Sequence, residues 1–154
     1  MTESEPPYGH HRFGTHNELE EACNHMDRVL AARPRDAGQD WARRLQDAAR
    51  AMSEAVVNHS DIADAEDGPL DELLRLRPAL RDRIQRQREE HAELSLRAHE
   101  LKREIEEALA FDALDTEFLH LAATVLREAV RLHMMRGVEA LFEAYEREEG
   151  GESG

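Results

Sequence analysis

Four of the nine histidines in this 154-residue chain fall where apolar residues recur with a helical period. They are His16, His59, His91 and His133. Imidazole is the commonest protein ligand for transition metals, and burying several rings is costly unless their nitrogens find partners. The four histidines therefore indicate a metal site in the core. We expect the other five to be solvated or partly covered, because they lie outside the apolar stripes: His10, His11, His25, His99 and His120.

The apolar period places the four histidines on four long helices. The first runs from Thr15 to the Arg33-Pro34 pair, the second over about 39–66, the third over about 80–112 and the fourth over about 116–148. Aromatic residues make up only 5% of the chain, while Ala, Leu, Glu and Arg dominate, a composition typical of helices. Short connections require sequence neighbours to run antiparallel. The sequence predicts an all-α fold, an up-down-up-down four-helix bundle.

The four histidines are predicted to lie at one height in this bundle. Counted from the loops at one end, His16 and His133 lie 17 residues away, and His59 and His91 lie 20 residues away. At about 1.5 Å per residue, these offsets agree to within roughly one helical turn. The four rings should therefore converge on one layer of the core.

Three carboxylates are candidates to share this layer or its edge. Glu20 follows His16 by one turn, and Glu66 follows His59 by two turns. Asp64 is off the apolar face of an ideal helix but lies near the end of the second helix. We therefore include Glu66, Asp64 and Glu20 among the predicted metal ligands.

Charge and composition exclude several classes of partner. The formal net charge of −14 would repel nucleic acid and anionic membrane surfaces. The sequence has no secretory signal and no apolar run long enough to span a bilayer, and its one cysteine, Cys23, has no internal disulfide partner. We expect a cytoplasmic protein with an N-terminal arm (1–14), a bundle (15–149) and a flexible tail (150–154).

Four segments together resemble the hemerythrin-like (HHE cation-binding) proteins. They are THNELEE at His16, NHSDIADAEDGPLDELLRLRP from Asn58, EEHAEL at His91 and HMMRGVEALFEAYEREEGG from His133. The resemblance implies a hemerythrin-like fold and a non-haem di-iron centre, held by histidines from four helices and bridged by two carboxylates. The four core histidines match the family's leading ligands. The family's second ligands, one turn later on the last three helices, are replaced here by Ala63, Ser95 and Gly137.

This resemblance implies a protein that reacts with dioxygen, peroxide or nitric oxide at non-haem iron. A di-iron centre is favoured, with a mononuclear site or another transition metal as alternatives. Two other functions stay open. One is a metal-dependent oxidative tailoring enzyme acting on a small organic substrate. The other is a metal-free regulatory bundle whose buried histidines charge on acidification, with loss of helicity between about pH 6 and 5.

Overall fold

The computed structural model describes the backbone of residues 9–32 and 38–151 and the side chains of residues 16–32 and 38–137. These parts of the chain are all-helical, as predicted, and contain no strand. Five α-helices and one short 3-10 helix follow one another: α1 (Gly9–Ala31), α2 (Gln39–Ala63), α3 (Pro69–Leu76), the 3-10 helix (Pro78–Leu80), α4 (Arg81–Ala110) and α5 (Thr116–Gly151).

The four long helices α1, α2, α4 and α5 pack around one apolar core. Helix α2 lies against both α1 and α4, and α5 lies against both α4 and α1. The buried residues recur at the predicted helical spacing, as in Leu45, Met52 and Val56 of α2. In α5 the buried line runs through Ala123, Leu126 and Val130, while Ala122 and Ala129 are only partly buried.

The helix ends follow local backbone chemistry. Gly38, which precedes α2, has a φ of 81°, a left-handed conformation that glycine adopts without a steric penalty. Helix α2 ends at Ala63, and the backbone N–H of Asp64 still donates to the carbonyl of Ser60. A Cβ atom at Gly68 would lie 2.8 Å from the Ala65 carbonyl oxygen, so only glycine fits this turn before α3.

The observed helix bounds differ from the predicted ones at three places. Helix α1 begins at Gly9, so residues 9–14 of the predicted arm are helical, and residues 1–8 lie outside the described residues. Helix α2 ends three residues before the predicted position 66 because the chain turns into the Gly68-Pro69 connection. Helix α5 continues through Gly151, and residues 152–154 of the predicted tail lie outside the described residues.

One end of the core, which we call the tryptophan end, is built around Trp41. The Trp41 indole Nε1–H donates to the Val29 carbonyl oxygen at 3.0 Å. Gln39 Nε2 donates to Asp112 Oδ1 at 3.0 Å, which joins the start of α2 to the turn between α4 and α5. In the described part of the chain, no helix is long and apolar enough to cross a membrane.

Candidate metal centre

Three buried histidines from three helices meet in the core. His59 of α2, His91 of α4 and His133 of α5 are 7%, 2% and 3% exposed. Each offers a ring nitrogen, and these nitrogens all lie within 4.8 Å of one another. We call these three residues the histidine cluster. Three buried imidazoles at this spacing could hold a metal ion, because histidine nitrogens bind first-row transition metals at about 2.0–2.1 Å.

The three rings are in mutual contact. The His91 and His133 ring centroids are 4.6 Å apart, and those of His59 and His91 are 4.8 Å apart, both with nearly perpendicular planes. The His59 and His133 centroids are 5.5 Å apart. This edge-to-face packing leaves the rings with little freedom to turn, so the nitrogens are held near one point.

A carboxylate lies within hydrogen-bond distance of one ring nitrogen of His91 and of His133. We call these Nδ1 atoms the outer nitrogens and the Nε2 atoms the inner nitrogens. His91 Nδ1 lies 2.9 Å from Asp64 Oδ1, and His133 Nδ1 lies 2.7 Å from Glu90 Oε2. Glu90 also accepts a hydrogen bond from Arg136. An Nδ1–H donated to a carboxylate leaves the lone pair on Nε2, which is the arrangement found around histidines that bind metals.

One pair of inner nitrogens has the spacing of two ligands around one ion. His59 Nε2 lies 3.4 Å from His133 Nε2. Two nitrogens bound at the usual distance to one tetrahedral metal ion would be separated by about 3.3 Å. His91 Nε2 is buried and has no hydrogen-bond partner among the described residues. A buried nitrogen without a partner is costly, and a metal ion would satisfy it.

Burial favours the neutral form of His59 and His133. It lowers the pKa of His59 from 6.5 to about 3, helped by the charges that His91, His133 and His16 would carry. Burial also lowers the pKa of His133, although its hydrogen bond to Glu90 opposes this shift. Burial tends to raise the pKa of Glu90, but the hydrogen bonds from His133 and Arg136 outweigh it and lower that pKa. Neutral imidazoles are the form that binds metals.

The fourth predicted ligand, His16, lies beside the cluster rather than within it. Its ring centroid is 5.3 Å from that of His59, with the planes tilted by 43°. It is half-buried and does not belong to the group of nitrogens that lie within 4.8 Å of one another. The structure therefore brings His16 to the same layer of the core as His59.

The three predicted carboxylates occupy different surroundings. Asp64 contacts the cluster through the outer nitrogen of His91. Its oxygen therefore hydrogen-bonds to a candidate metal-binding histidine and is not itself in the position of a metal ligand. Glu20 and Glu66 are exposed and stand outside the group of close ligand atoms. The described structure thus places one of these three carboxylates at the cluster.

Small residues, among them Ser95 and Gly137, lie one turn after the cluster histidines. Ser95 Oγ lies 3.5 Å from Ser60 Oγ, which joins α4 to α2. Gly137 lies beside His16, since a Cβ there would be 3.8 Å from His16 Cε1. Among the side chains described, the histidine cluster is the one group of three or more close metal-binding residues. The described residues therefore offer ligands for a single ion.

The sequence did not reveal the role of Glu90. It lies in the charged run Arg88-Glu89-Glu90, which is typical of a solvated helix face. Its contact with His133 depends on how α4 and α5 are rotated against each other, which no local pattern encodes. Its position directly before a core histidine was the one signal available.

Cys23 is a packing residue. Its side chain is fully buried in the apolar core, and burial raises the pKa of its thiol to about 11. A thiol is nucleophilic only as the thiolate, which is scarce at neutral pH with this pKa. Cys23 is therefore a core residue and not a nucleophile.

Comparisons with known proteins identify no relative. No protein family, no curated protein and no solved structure matches the chain. The case for a metal centre is therefore the geometry of the histidine cluster and its two carboxylates.

Proposed function

We propose that this protein is a hemerythrin-like metalloprotein that holds one non-haem iron ion at His59, His91 and His133 and reacts with dioxygen, peroxide or nitric oxide. The observation that carries the proposal is the convergence of three buried ring nitrogens within 4.8 Å. The other side chains of the layer are consistent with it, since carboxylates bind two of the outer nitrogens.

The proposed fold is an up-down-up-down four-helix bundle. It is supported by the circular order of helix contacts, in which α1 meets α2, α2 meets α4, α4 meets α5 and α5 meets α1. The hydrogen bond between Gln39 and Asp112 supports it further, because it brings the loop before α2 and the loop before α5 to the same end. This is the arrangement that the resemblance to hemerythrin-like proteins implies.

A mononuclear site fits the described residues better than a di-iron site. A di-iron centre of the hemerythrin kind needs two bridging carboxylates and further histidines, and the small residues Ala63, Ser95 and Gly137 supply none of them. Three neutral imidazoles suit Fe, Zn, Cu or Ni, and iron is proposed from the resemblance. Three protein ligands leave coordination positions open, and a metal there would supply redox or Lewis-acid chemistry to a small molecule.

The proposal is tested by metal analysis of untagged protein produced in iron-supplemented medium. We expect about one metal ion per chain by elemental analysis. A di-iron centre would instead give about two ions per chain and an oxo-bridge absorption band in the near ultraviolet. The His91→Ala variant should lose the metal and keep its helicity by circular dichroism. His99→Ala is a matched control on α4, since His99 lies on the exposed face. Metal-free wild-type protein after reconstitution with iron would overturn the proposal.

A second candidate function is supported by the 3.4 Å separation of His59 Nε2 and His133 Nε2. This distance also fits an N–H···N hydrogen bond between two neutral rings. In that case the histidines form a metal-free, pH-responsive layer in a regulatory bundle. The metal analysis separates the two functions, because only the first predicts bound metal that is lost in His91→Ala.

A further inference from the structure

We propose that Asp64 and Glu90 are positioning residues of the metal site. Each holds the Nδ1–H of one histidine, so that the Nε2 lone pairs of His91 and His133 both face the metal position. This inference rests on the proposed metal function and adds two residues that do not themselves touch the metal. The distances that carry it are 2.9 Å from Asp64 Oδ1 to His91 Nδ1 and 2.7 Å from Glu90 Oε2 to His133 Nδ1.

Asp64 reaches the cluster because α2 ends just before it. Its φ and ψ of −91° and 0° depart from the helix, and its backbone N–H still closes the last turn onto Ser60. The side chain can therefore leave the line of α2 and cross to His91 on α4. A residue in this position sets the orientation of a ligand on another helix, so the end of α2 is part of the metal site.

Glu90 orients His133, which lies on a different helix. It directly precedes His91 on α4, yet its carboxylate binds His133 on α5. Arg136, one turn after His133 on the same helix, holds the other oxygen of Glu90. Glu90 is only 22% exposed, so its ion pair with Arg136 is partly shielded from solvent. This pair fixes the carboxylate in the position from which it can hold the ring.

His59 differs from the two other members of the cluster. Its Nδ1 is buried without a hydrogen-bond partner among the described residues, and its ring is enclosed by the rings of His16, His91 and His133. Ring packing and the 3.4 Å contact between its Nε2 and His133 Nε2 therefore orient His59, with no carboxylate on either nitrogen among the described residues. The inference predicts that removing the carboxylates frees two ligands of the cluster and leaves the third unchanged.

The two carboxylates also balance charge. Three neutral imidazoles bring no charge to a divalent cation, whereas Asp64 and Glu90 place two negative charges behind the ligands. Such outer carboxylates raise the basicity of the imidazoles and favour the cation. Loss of an outer partner of this kind typically lowers metal affinity by about 10–100-fold.

The test measures zinc affinity by competition with a chromophoric chelator, since zinc has no redox chemistry. Asp64→Ala and Glu90→Ala should each weaken the Kd for zinc by about 10–100-fold. The matched controls are Asp61→Ala and Glu89→Ala, which remove a charge from exposed neighbours on the same helices. Both controls should stay within about twofold of the wild type, since exposed charges at this distance are largely screened.

A second readout reports the ring tautomers directly. In metal-free protein at neutral pH, long-range ¹H–¹⁵N NMR spectra should show His91 and His133 with the proton on Nδ1. Asp64→Ala should convert His91 to a mixture of tautomers, and Glu90→Ala should do so for His133, while the His59 signals stay unchanged. Asp64→Asn should retain the Nδ1–H tautomer, because the amide oxygen still accepts, and should weaken zinc binding less than Asp64→Ala.

The outcomes separate this inference from the proposed function. A wild-type protein that binds no zinc or iron overturns both. A wild-type protein that binds zinc, with carboxylate variants that match their controls in Kd and tautomer, overturns the positioning role alone. If an alanine variant fails to fold, Asp64→Leu and Glu90→Met compared with Asp61→Leu and Glu89→Met decide the question, because these changes roughly preserve side-chain size and remove the oxygen that accepts from Nδ1–H.

Discussion

Two histidine environments lie at opposite ends of the core, and they differ in how their ring nitrogens are satisfied. At the tryptophan end, His120 Nε2 lies 3.1 Å from the Leu30 carbonyl oxygen, and its ring stacks on Trp41 with centroids 6.3 Å apart. In the histidine cluster, His91 Nε2 and His59 Nδ1 have no hydrogen-bond partner among the described residues. His120 Nε2 has its partner within the protein, whereas His91 Nε2 would gain one only from an added ion.

The comparison shows which feature of a core histidine points to function. Burial and aromatic contacts occur in both places and do not distinguish them. The distinguishing feature is a ring with a carboxylate at one nitrogen, while its other nitrogen is buried and has no partner among the described residues, as in His91. Natural proteins keep such groups where function needs them, at a cost in stability. The two environments are about 27 Å apart along α2, so they can be changed independently.

The largest difference between the two ends should appear when metal is added. Zinc at about 100 times its Kd should raise the free energy of unfolding of the wild type by about 2.7 kcal/mol, because it binds only the folded chain. His59→Leu should abolish this stabilisation, since it removes one of three ligands. His120→Leu should keep it in full. Urea unfolding with and without zinc measures the effect, and equal losses in both variants would contradict the distinction.

A smaller difference should appear in the absence of metal. His59→Leu should change the free energy of unfolding of the metal-free protein by less than about 1 kcal/mol, because it removes the unpartnered Nδ1 of His59 but also removes the partner of His133 Nε2. His120→Leu should destabilise it by about 1–2 kcal/mol, because the Leu30 carbonyl loses its donor and Trp41 loses its stacking partner.

Urea midpoints in the presence of a chelator measure both changes. If His59→Leu is destabilised as much as His120→Leu, the nitrogens of His59 are better satisfied than the structure indicates. The distinction between the two ends would then have to rest on metal binding alone.

Much of this arrangement follows from the sequence. The helices and the common height of the histidines were predicted from the apolar period and from counting residues to the loops. These features depend on local spacing, which the sequence contains directly. His120 is off the apolar stripe and was predicted to be solvated or partly covered, and it is half-buried against Trp41, but the sequence did not indicate this contact. Its contact is made with α1 and α2, and the period of its own helix carries no information about them.

The carboxylates that contact the histidine cluster were harder to predict for the same reason. Asp64 is off the apolar face of an ideal helix and reaches His91 only because α2 ends at Ala63. Glu90 contacts His133 only because α4 and α5 pack at a particular rotation. Both depend on a few degrees of helix orientation or a few residues of helix length, which sequence patterns define poorly.

The smallest predicted difference is in the pH dependence of the metal-free protein. The pKa of His59 is about 3 in the folded state, because of burial and the facing His91, His133 and His16, and its ordinary value is 6.5. Between these values the unfolded chain binds the proton more strongly, so stability is lost as the pH falls below 6.5. At pH 5.5 the contribution of this one group is about 1 kcal/mol.

This pH dependence is measured by urea unfolding at pH 7.0 and 5.5 in the presence of a chelator. When the pH falls from 7.0 to 5.5, the free energy of unfolding of His59→Leu should decrease by about 1 kcal/mol less than that of the wild type. The reason is that leucine takes up no proton in either state. His120→Leu changes a ring at the other end and should leave the contribution of His59 in place. An equal loss in the wild type and His59→Leu would mean that His59 takes up a proton as readily in the folded chain as in the unfolded one. The cluster would then be open to water, and its unpartnered nitrogens would give no reason to expect a metal.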